Sequence, residues 1–247
     1  MTYAVALRLE RGLVFAADTR TNAGIDNIAQ FRKLHFWRKT GDRVIVVLTA
    51  GNLAITQAVV SIINEQLESD DGSANGETQT IFNATNMFRA ARVVGDAVRE
   101  VRKTDGDALE ATKAGFSATF IVGGQIGDER PRLFQIYSEG NFIEATEDTP
   151  FFQIGEHKYG KPILDRVADV KMRLGEAAKL ILLSYDSTLR SNLSVGMPID
   201  ILVYERDTLD VRRVKRIEED DEYFKHLSSS WGEALRTAFA KIDEFKV

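Results

Sequence analysis

Apolar positions in the first fifty residues either alternate with polar ones or form short unbroken blocks, and both patterns predict strands. Tyr3 to Leu9 is rich in apolar and β-branched residues, Arg11-Gly12 supplies a turn, and Leu13 to Asp18 is a second apolar run. The pair predicts a hairpin whose two strands are both buried. Thr19 to Asp26 reads as a polar connection, followed by a short extended stretch around Phe31 to Trp37. Thr40-Gly41-Asp42 then turns the chain into Arg43 to Leu48, a β-branched run that stops at Ala50-Gly51.

From Asn52 the period changes. Ile55, Val59, Ile62, Ile63 and Leu67 recur at three and four, which predicts an amphipathic helix. Ser69 to Glu77 (SDDGSANGE) reads as an exposed loop and Ile81 to Val101 as a second helix. Strand character returns at Phe116 to Val122 and Arg132 to Tyr137, joined by a hairpin loop containing Gly123-Gly124 and Pro131, with a short strand at Asn141 to Glu144. Helical spacing resumes from His157 to Val170 and from Met172 to Arg190. Pro198 to Glu205 and Thr208 to Ile217 predict a hairpin around Arg206-Asp207, and Asp221 to Phe245 a final charged helix. Strands and helices come in blocks and do not alternate singly. That order argues for an α+β fold, with antiparallel sheets carrying helices on their outer faces, over a doubly wound parallel sheet. No Pro- or Ser-rich linker interrupts the chain, so residues 1–247 are expected to form a single domain.

Composition removes several kinds of chemistry. The 247 residues include no cysteine, which excludes disulfide scaffolds, thiol nucleophiles, cysteine-ligated zinc and iron–sulfur clusters. No apolar run reaches the roughly 18 residues of a spanning helix. Arg8, Glu10 and Arg11 interrupt any secretory-signal pattern, so a cytoplasmic protein with no membrane partner is expected. The net charge is −5 and the longest like-charge run, Glu218 to Glu222, is acidic, which argues against a nucleic-acid partner. His35, His157 and His226 lie far apart and none has a second histidine at helical spacing, so no metal and no cofactor are expected. The glycines of GGQIG lack the helix and the Lys-Ser/Thr ending of a phosphate loop, and no G-x-S-x-G elbow is present. Asn83-Ala84-Thr85 and Asn192-Leu193-Ser194 match the glycosylation sequon, which carries no meaning in a cytoplasmic chain.

What remains is a set of polar residues in apolar surroundings near the N-terminus. Asp18 closes the strand LVFAAD, Lys33 sits among aromatic neighbours in FRKLHF, and Gly51 ends RVIVVLTAG where a helix begins. Each alone has an ordinary explanation: a strand-end ion pair with Arg20, an edge-strand lysine, a strand-to-helix turn. With Thr2 they make a reaction centre. Loss of Met1 would expose a threonine whose own α-amino group, with a pKa of about 8, can take the proton of its hydroxyl. Lys33 would favour the hydroxyl's anion, Asp18 would hold the lysine charged, and the Gly51 N–H could stabilise a tetrahedral oxyanion. The combination suits acyl transfer from an amide.

The Thr2 start, GLVFAADTRTNAG, FRKLHFW and VLTAGNLA resemble the corresponding segments of a proteasome β-type subunit of the N-terminal nucleophile hydrolase superfamily, above all the bacterial Anbu (ancestral β-subunit) group. The similarity extends through FFQIGEHKYGKPIL and LSYDSTLRSNLSVGMPIDILVYERD. It implies a four-layer αββα sandwich, self-assembly into a homo-oligomer as a ring or open helix, and threonine-dependent hydrolysis of peptides or unfolded proteins, with an ATP-dependent partner left open. By the same resemblance Thr2 is the nucleophile, Asp18 and Lys33 its electrostatic partners, and Gly51 the oxyanion donor. Thr21 and Asn22 match the segment whose backbone pairs with an extended substrate. Thr49 matches the floor of the first specificity pocket, with Phe31, His35 and Leu53 as walls, and so small a polar floor implies no sharp preference. Two departures stand out. Glu156, in Gly155-Glu156-His157, replaces the serine of the family's Gly-Ser-Gly, and the Asp-x-x-Ser pattern is only partly met by Asp186 and Ser191. Two further readings fit the same residues: a catalytically silent assembly subunit, and an amidase acting on small peptide-like substrates in a biosynthetic or tagging pathway.

Overall fold

The computed structural model describes residues 2–22, 28–69, 79–112 and 115–246. Strands β1 (Tyr3–Leu9) and β2 (Gly12–Asp18) form the expected hairpin, followed by a small antiparallel pair, β3 (Arg20–Asn22) and β4 (Ile28–Gln30). Then come β5 (Leu34–Lys39), β6 (Arg43–Gly51), α1 (Leu53–Ser69), α2 (Met87–Ala111), β7 (Ala118–Ile126), β8 (Arg132–Ile136), β9 (Phe142–Glu144) and β10 (Phe151–Gly155). The chain continues through α3 (Lys161–Val167), α4 (Leu174–Ser191), β11 (Ile199–Glu205), β12 (Arg213–Ile217) and α5 (Glu222–Ala240). Two five-stranded antiparallel sheets result, in the orders β10-β1-β2-β11-β12 and β5-β6-β7-β8-β9.

Side-chain alternation explains why these sheets stack. In β1 and β2, Ala4, Ala6, Leu13, Phe15 and Ala17 point to the other sheet, where they meet Val44, Val46 and Leu48 of β6. The opposite face of the same strands, Tyr3, Val5, Leu7, Val14 and Ala16, packs on Leu180, Ile181 and Tyr185 of α4. Ile45 and Val47 of β6, with Phe120 and Val122 of β7, pack on α1 and α2. The layers are therefore helix, sheet, sheet, helix, the α+β fold expected from the order of elements and the four-layer sandwich implied by the resemblance. Among the described residues no helix is long and apolar enough to cross a membrane.

Several boundaries differ from the sequence reading. Gly123-Gly124 lies inside β7, not in a hairpin loop. A Cβ on Gly123 would sit 2.8 Å from both the Phe15 ring and Leu133, so the glycine lets an aromatic ring from the facing sheet approach the backbone. Helix α2 starts at Met87, where the Asn86 side chain accepts from the Arg89 N–H, and it runs ten residues past Val101 with Leu109 still packed on the core. Phe31 to Lys33 precede β5 and are not strand, which frees Lys33 to turn inward. The expected helix from His157 shrinks to α3, which has a proline in its first turn, and β10 is an additional strand. The loop reading of Ser69 to Glu77 lies almost wholly outside the described residues.

Candidate active site

Adjacent ends of β1, β2, β6 and β10 converge on one cavity of about 510 Å³, lined by Thr2, Arg20, Thr21, Lys33, Thr49, Gly51 and other residues. At its base is a buried ion pair. The Lys33 ammonium donates to Asp18 Oδ1 at 2.9 Å, and the two side chains are 5% and 0% exposed. The same carboxylate oxygen accepts the Tyr3 N–H at 3.1 Å, which ties the pair to the residue after Thr2. Lys33 Nζ also donates to the Arg20 carbonyl at 2.5 Å. Burial pulls the Lys33 pKa below its ordinary value against the attraction of Asp18, and burial pushes Asp18 up against the attraction of Lys33. Both shifts record the cost of taking charges out of water, a cost that packing alone does not require.

Thr2 is held by its own carbonyl, which accepts the Glu156 N–H at 2.6 Å. Tyr3 next to it is fixed from the helix side: Tyr185 Oη donates to the Tyr3 carbonyl at 2.5 Å, and Tyr3 Oη meets Ser184 at 2.9 Å and accepts from Gln153 at 2.7 Å. Gly155 has φ +79°, and a Cβ there would lie 2.1 Å from the Thr2 carbonyl oxygen. Gly155→Ala should therefore displace Thr2 and destabilise the protein by about 1–3 kcal/mol, measured by thermal melting. Gly51 ends β6 at φ +113°, where a Cβ would lie 2.3 Å from the Ser117 carbonyl oxygen. Its backbone is exposed to the cavity at the strand-to-helix junction.

The structure thus brings Thr2, Asp18, Lys33, Gly51, Thr21 and Thr49 to one place. Asn22 follows Thr21 in β3, which among the described strands pairs with β4 alone. Glu156 adjoins Thr2 through its backbone, but its carboxylate turns away: Oε1 accepts the His157 and Lys158 N–H groups at 2.8 and 2.7 Å, and Oε2 accepts from Asn192 Nδ2 at 2.5 Å. Burial raises its pKa, and these three hydrogen bonds outweigh burial and hold the carboxyl below its ordinary value. Asp186 and Ser191 are not at the cavity. Asp186 pairs with Arg190 at 3.2 Å beside α5, and Ser191 is exposed at the end of α4. Thr56, Ser117 and Asn192 belong to the site's surroundings and had no signal in the sequence, where Asn192 figured only in a sequon; Arg20, weighed there as an ion-pair partner of Asp18, instead lines the cavity and offers its carbonyl to Lys33. Among the described residues, no group of three or more His, Asp or Glu side chains is placed to hold a metal ion.

A second cavity of about 350 Å³ adjoins the first, and Thr49, Leu53 and Thr56 line both. Phe31 and His35 line it as well, beside the expected floor residue Thr49 and the expected wall residue Leu53.

A four-layer sandwich with a threonine and a buried lysine–aspartate pair between its sheets defines a proteasome-type subunit, and the chain matches the proteasome subunit family over residues 2–204. It is similar to a Gly-1 mutant of Anbu from Hyphomicrobium sp. strain MC1, at 70% identity and a TM-score of 0.92 with 100% of both chains covered. It is also similar to Anbu (ancestral β-subunit) from Yersinia bercovieri, at 46% identity, a TM-score of 0.90 and 99% of both chains. The Anbu complex from Pseudomonas aeruginosa, solved as a helical assembly, is 44% identical with a TM-score of 0.90, over 99% of this chain and 98% of that one. None of the curated proteins searched matches significantly. The chain belongs to the proteasome subunit family and, within it, to the Anbu proteins.

Proposed function

We propose that the chain is an N-terminal threonine peptidase, a single domain that hydrolyses peptide bonds through an acyl-enzyme on Thr2 once Met1 has been removed. The observation that carries this reading is the buried Lys33–Asp18 pair, which opens on the cavity that Thr2 and Gly51 also line. A silent assembly subunit gains nothing from such a pair, because burying two charges costs several kcal/mol per ion before their attraction is counted. In the reaction the Thr2 hydroxyl attacks the scissile carbonyl and its proton passes to the Thr2 α-amine, directly or through one water. The Gly51 N–H faces the oxyanion, the C–N bond breaks, and the leaving amine takes the proton. Water then adds to the ester, and Thr2 is regenerated with release of the acid. Thr21 and Asn22 supply backbone groups, on the edge of β3 that no described strand pairs, to an extended substrate, and Thr49 marks the start of the pocket for the residue on the acyl side. The helical assembly of the Pseudomonas aeruginosa complex supports a homo-oligomer as the working form.

The test is the chemical state of the N-terminus together with its reactivity. Protein with Met1 removed, verified by intact mass, should be labelled by a peptidyl vinyl sulfone at Thr2, whose hydroxyl adds across the vinyl group and raises the mass by that of the whole probe. Protein retaining Met1 should not react. Equal labelling of both forms, or labelling mapped to another residue, would sink the reading.

A further inference from the structure

The second cavity is lined by apolar side chains, Phe31, Leu53 and Val60, and by one cation, the exposed Arg32. Among the described residues no carboxylate lines it, and the exposed Arg32 guanidinium has no ion pair. Burial lowers the His35 pKa and the Arg32 charge pushes it the same way, against a hydrogen bond with the Arg32 backbone and the attraction of Asp200. The cationic form of the His35 ring is therefore disfavoured, and Arg32 is the cation that a bound side chain meets. Thr49, Leu53 and Thr56 line both this cavity and the one that Thr2 and Gly51 line, so the space beside a residue whose carbonyl reaches Thr2 adjoins the one that Arg32 lines.

We infer that this cavity selects an acidic side chain, glutamate above all, on the acyl side of the scissile bond, with Arg32 as the specificity-determining residue. The inference rests on the threonine-peptidase reading above and adds the class of substrate to it. Glutamate fits on two counts. Its two methylenes match the apolar wall of Leu53 and Phe31, and its carboxylate reaches a guanidinium that can hold it through paired charge-assisted hydrogen bonds. Lysine and arginine are opposed by like charge at the same point. The threonine floor alone implied no sharp preference; the exposed arginine supplies one.

The experiment compares vinyl sulfones that differ only in the side chain next to the warhead, Glu, Gln, Leu or Lys, on Met1-free protein, with labelling rates read by intact mass. Glu and Gln have the same shape, so their ratio isolates the charge. The Glu probe is expected to react about tenfold faster than the Gln probe, in line with a hydrogen bond to a charged partner, with Lys slowest. In Arg32→Gln the Glu-to-Gln ratio should collapse to about one, and in Arg32→Glu the Lys probe should overtake the Glu probe. A Leu probe at least as fast as Glu, or a Glu-to-Gln ratio unchanged in Arg32→Gln, overturns the acidic preference while leaving the threonine nucleophile standing. Failure of all four probes overturns the threonine reading and the acidic preference with it.

Discussion

Thr2→Ala is expected to abolish peptide hydrolysis and probe labelling, with a fall in kcat of at least about 10⁴-fold, as for removal of a nucleophile that acts as a unit with its base. That corresponds to about 5.5 kcal/mol of transition-state stabilisation. The fold should barely respond. Thr2 is buried, but what anchors it is backbone: its carbonyl accepts from Glu156 N, and the Tyr3 N–H donates to Asp18, both of which alanine preserves. Removing one hydroxyl and one methyl from the rim of an open cavity leaves a melting temperature close to the parent's. The decisive comparison is Thr2→Ser, which keeps an N-terminal hydroxyl and amine and should retain measurable turnover. A Thr2→Ala protein that still hydrolyses peptides at the parent's rate would move the reaction to another group entirely. Because the alanine also remains small enough for Met1 removal, mass spectrometry of the variant separates loss of the nucleophile from a failure of N-terminal processing.

The sequence made the layers readable because strand alternation is a local property. Tyr3, Val5 and Leu7 against Ala4 and Ala6 already show two different faces, the small one meeting a sheet and the large one a helix. Asp18 and Lys33 were readable as well, since a charge among apolar neighbours is rarely buried without a partner. Other features depend on residues far apart in the chain. The Glu156 carboxylate is fixed by Asn192, 36 positions away, and nothing in either segment announces the pairing. Strand β10 is a five-residue run whose identity comes from its register with β1, where Tyr3 faces Gly155. Asp186 looked like a site residue because of its spacing to Ser191, yet helix geometry gives its carboxylate to Arg190 four positions on. The lining of the second cavity was unreadable for a related reason: Arg32 adjoins Lys33 in sequence, and only the irregular backbone before β5 sends one inward and leaves the other exposed.

Asp18→Ala should destabilise the protein by about 3–5 kcal/mol, because it strands the Lys33 ammonium in a buried site and deprives the Tyr3 N–H of its acceptor. At this chain length that is a drop in melting temperature of roughly 10 °C. Asp18→Asn keeps an oxygen for both donors and removes only the charge, so it separates the two losses. Lys33 then lies below its ordinary pKa with no counter-charge to oppose burial, and it gives up its proton more readily. The sign follows. A lysine whose folded pKa is depressed favours the neutral form in the folded state, so the penalty is full at low pH and is relieved as pH rises toward the unfolded value of about 10.4. Asp18→Asn should therefore regain stability relative to the parent as pH rises, and it should lose activity because no carboxylate then holds Lys33 charged and oriented in the cavity that Thr2 lines. Lys33→Met completes the argument. Methionine removes the desolvated charge and leaves Asp18, whose pKa burial already raises, free to take a proton. The double variant Asp18→Asn/Lys33→Met, with neither charge, should be close to the parent in stability, as replacement of a buried ion pair by matched neutral groups often is, and as inactive as Thr2→Ala. Melting curves and turnover for the four proteins check both halves: a double variant as unstable as Asp18→Ala would make the pair structural, whereas a stable and inactive one assigns its cost to catalysis.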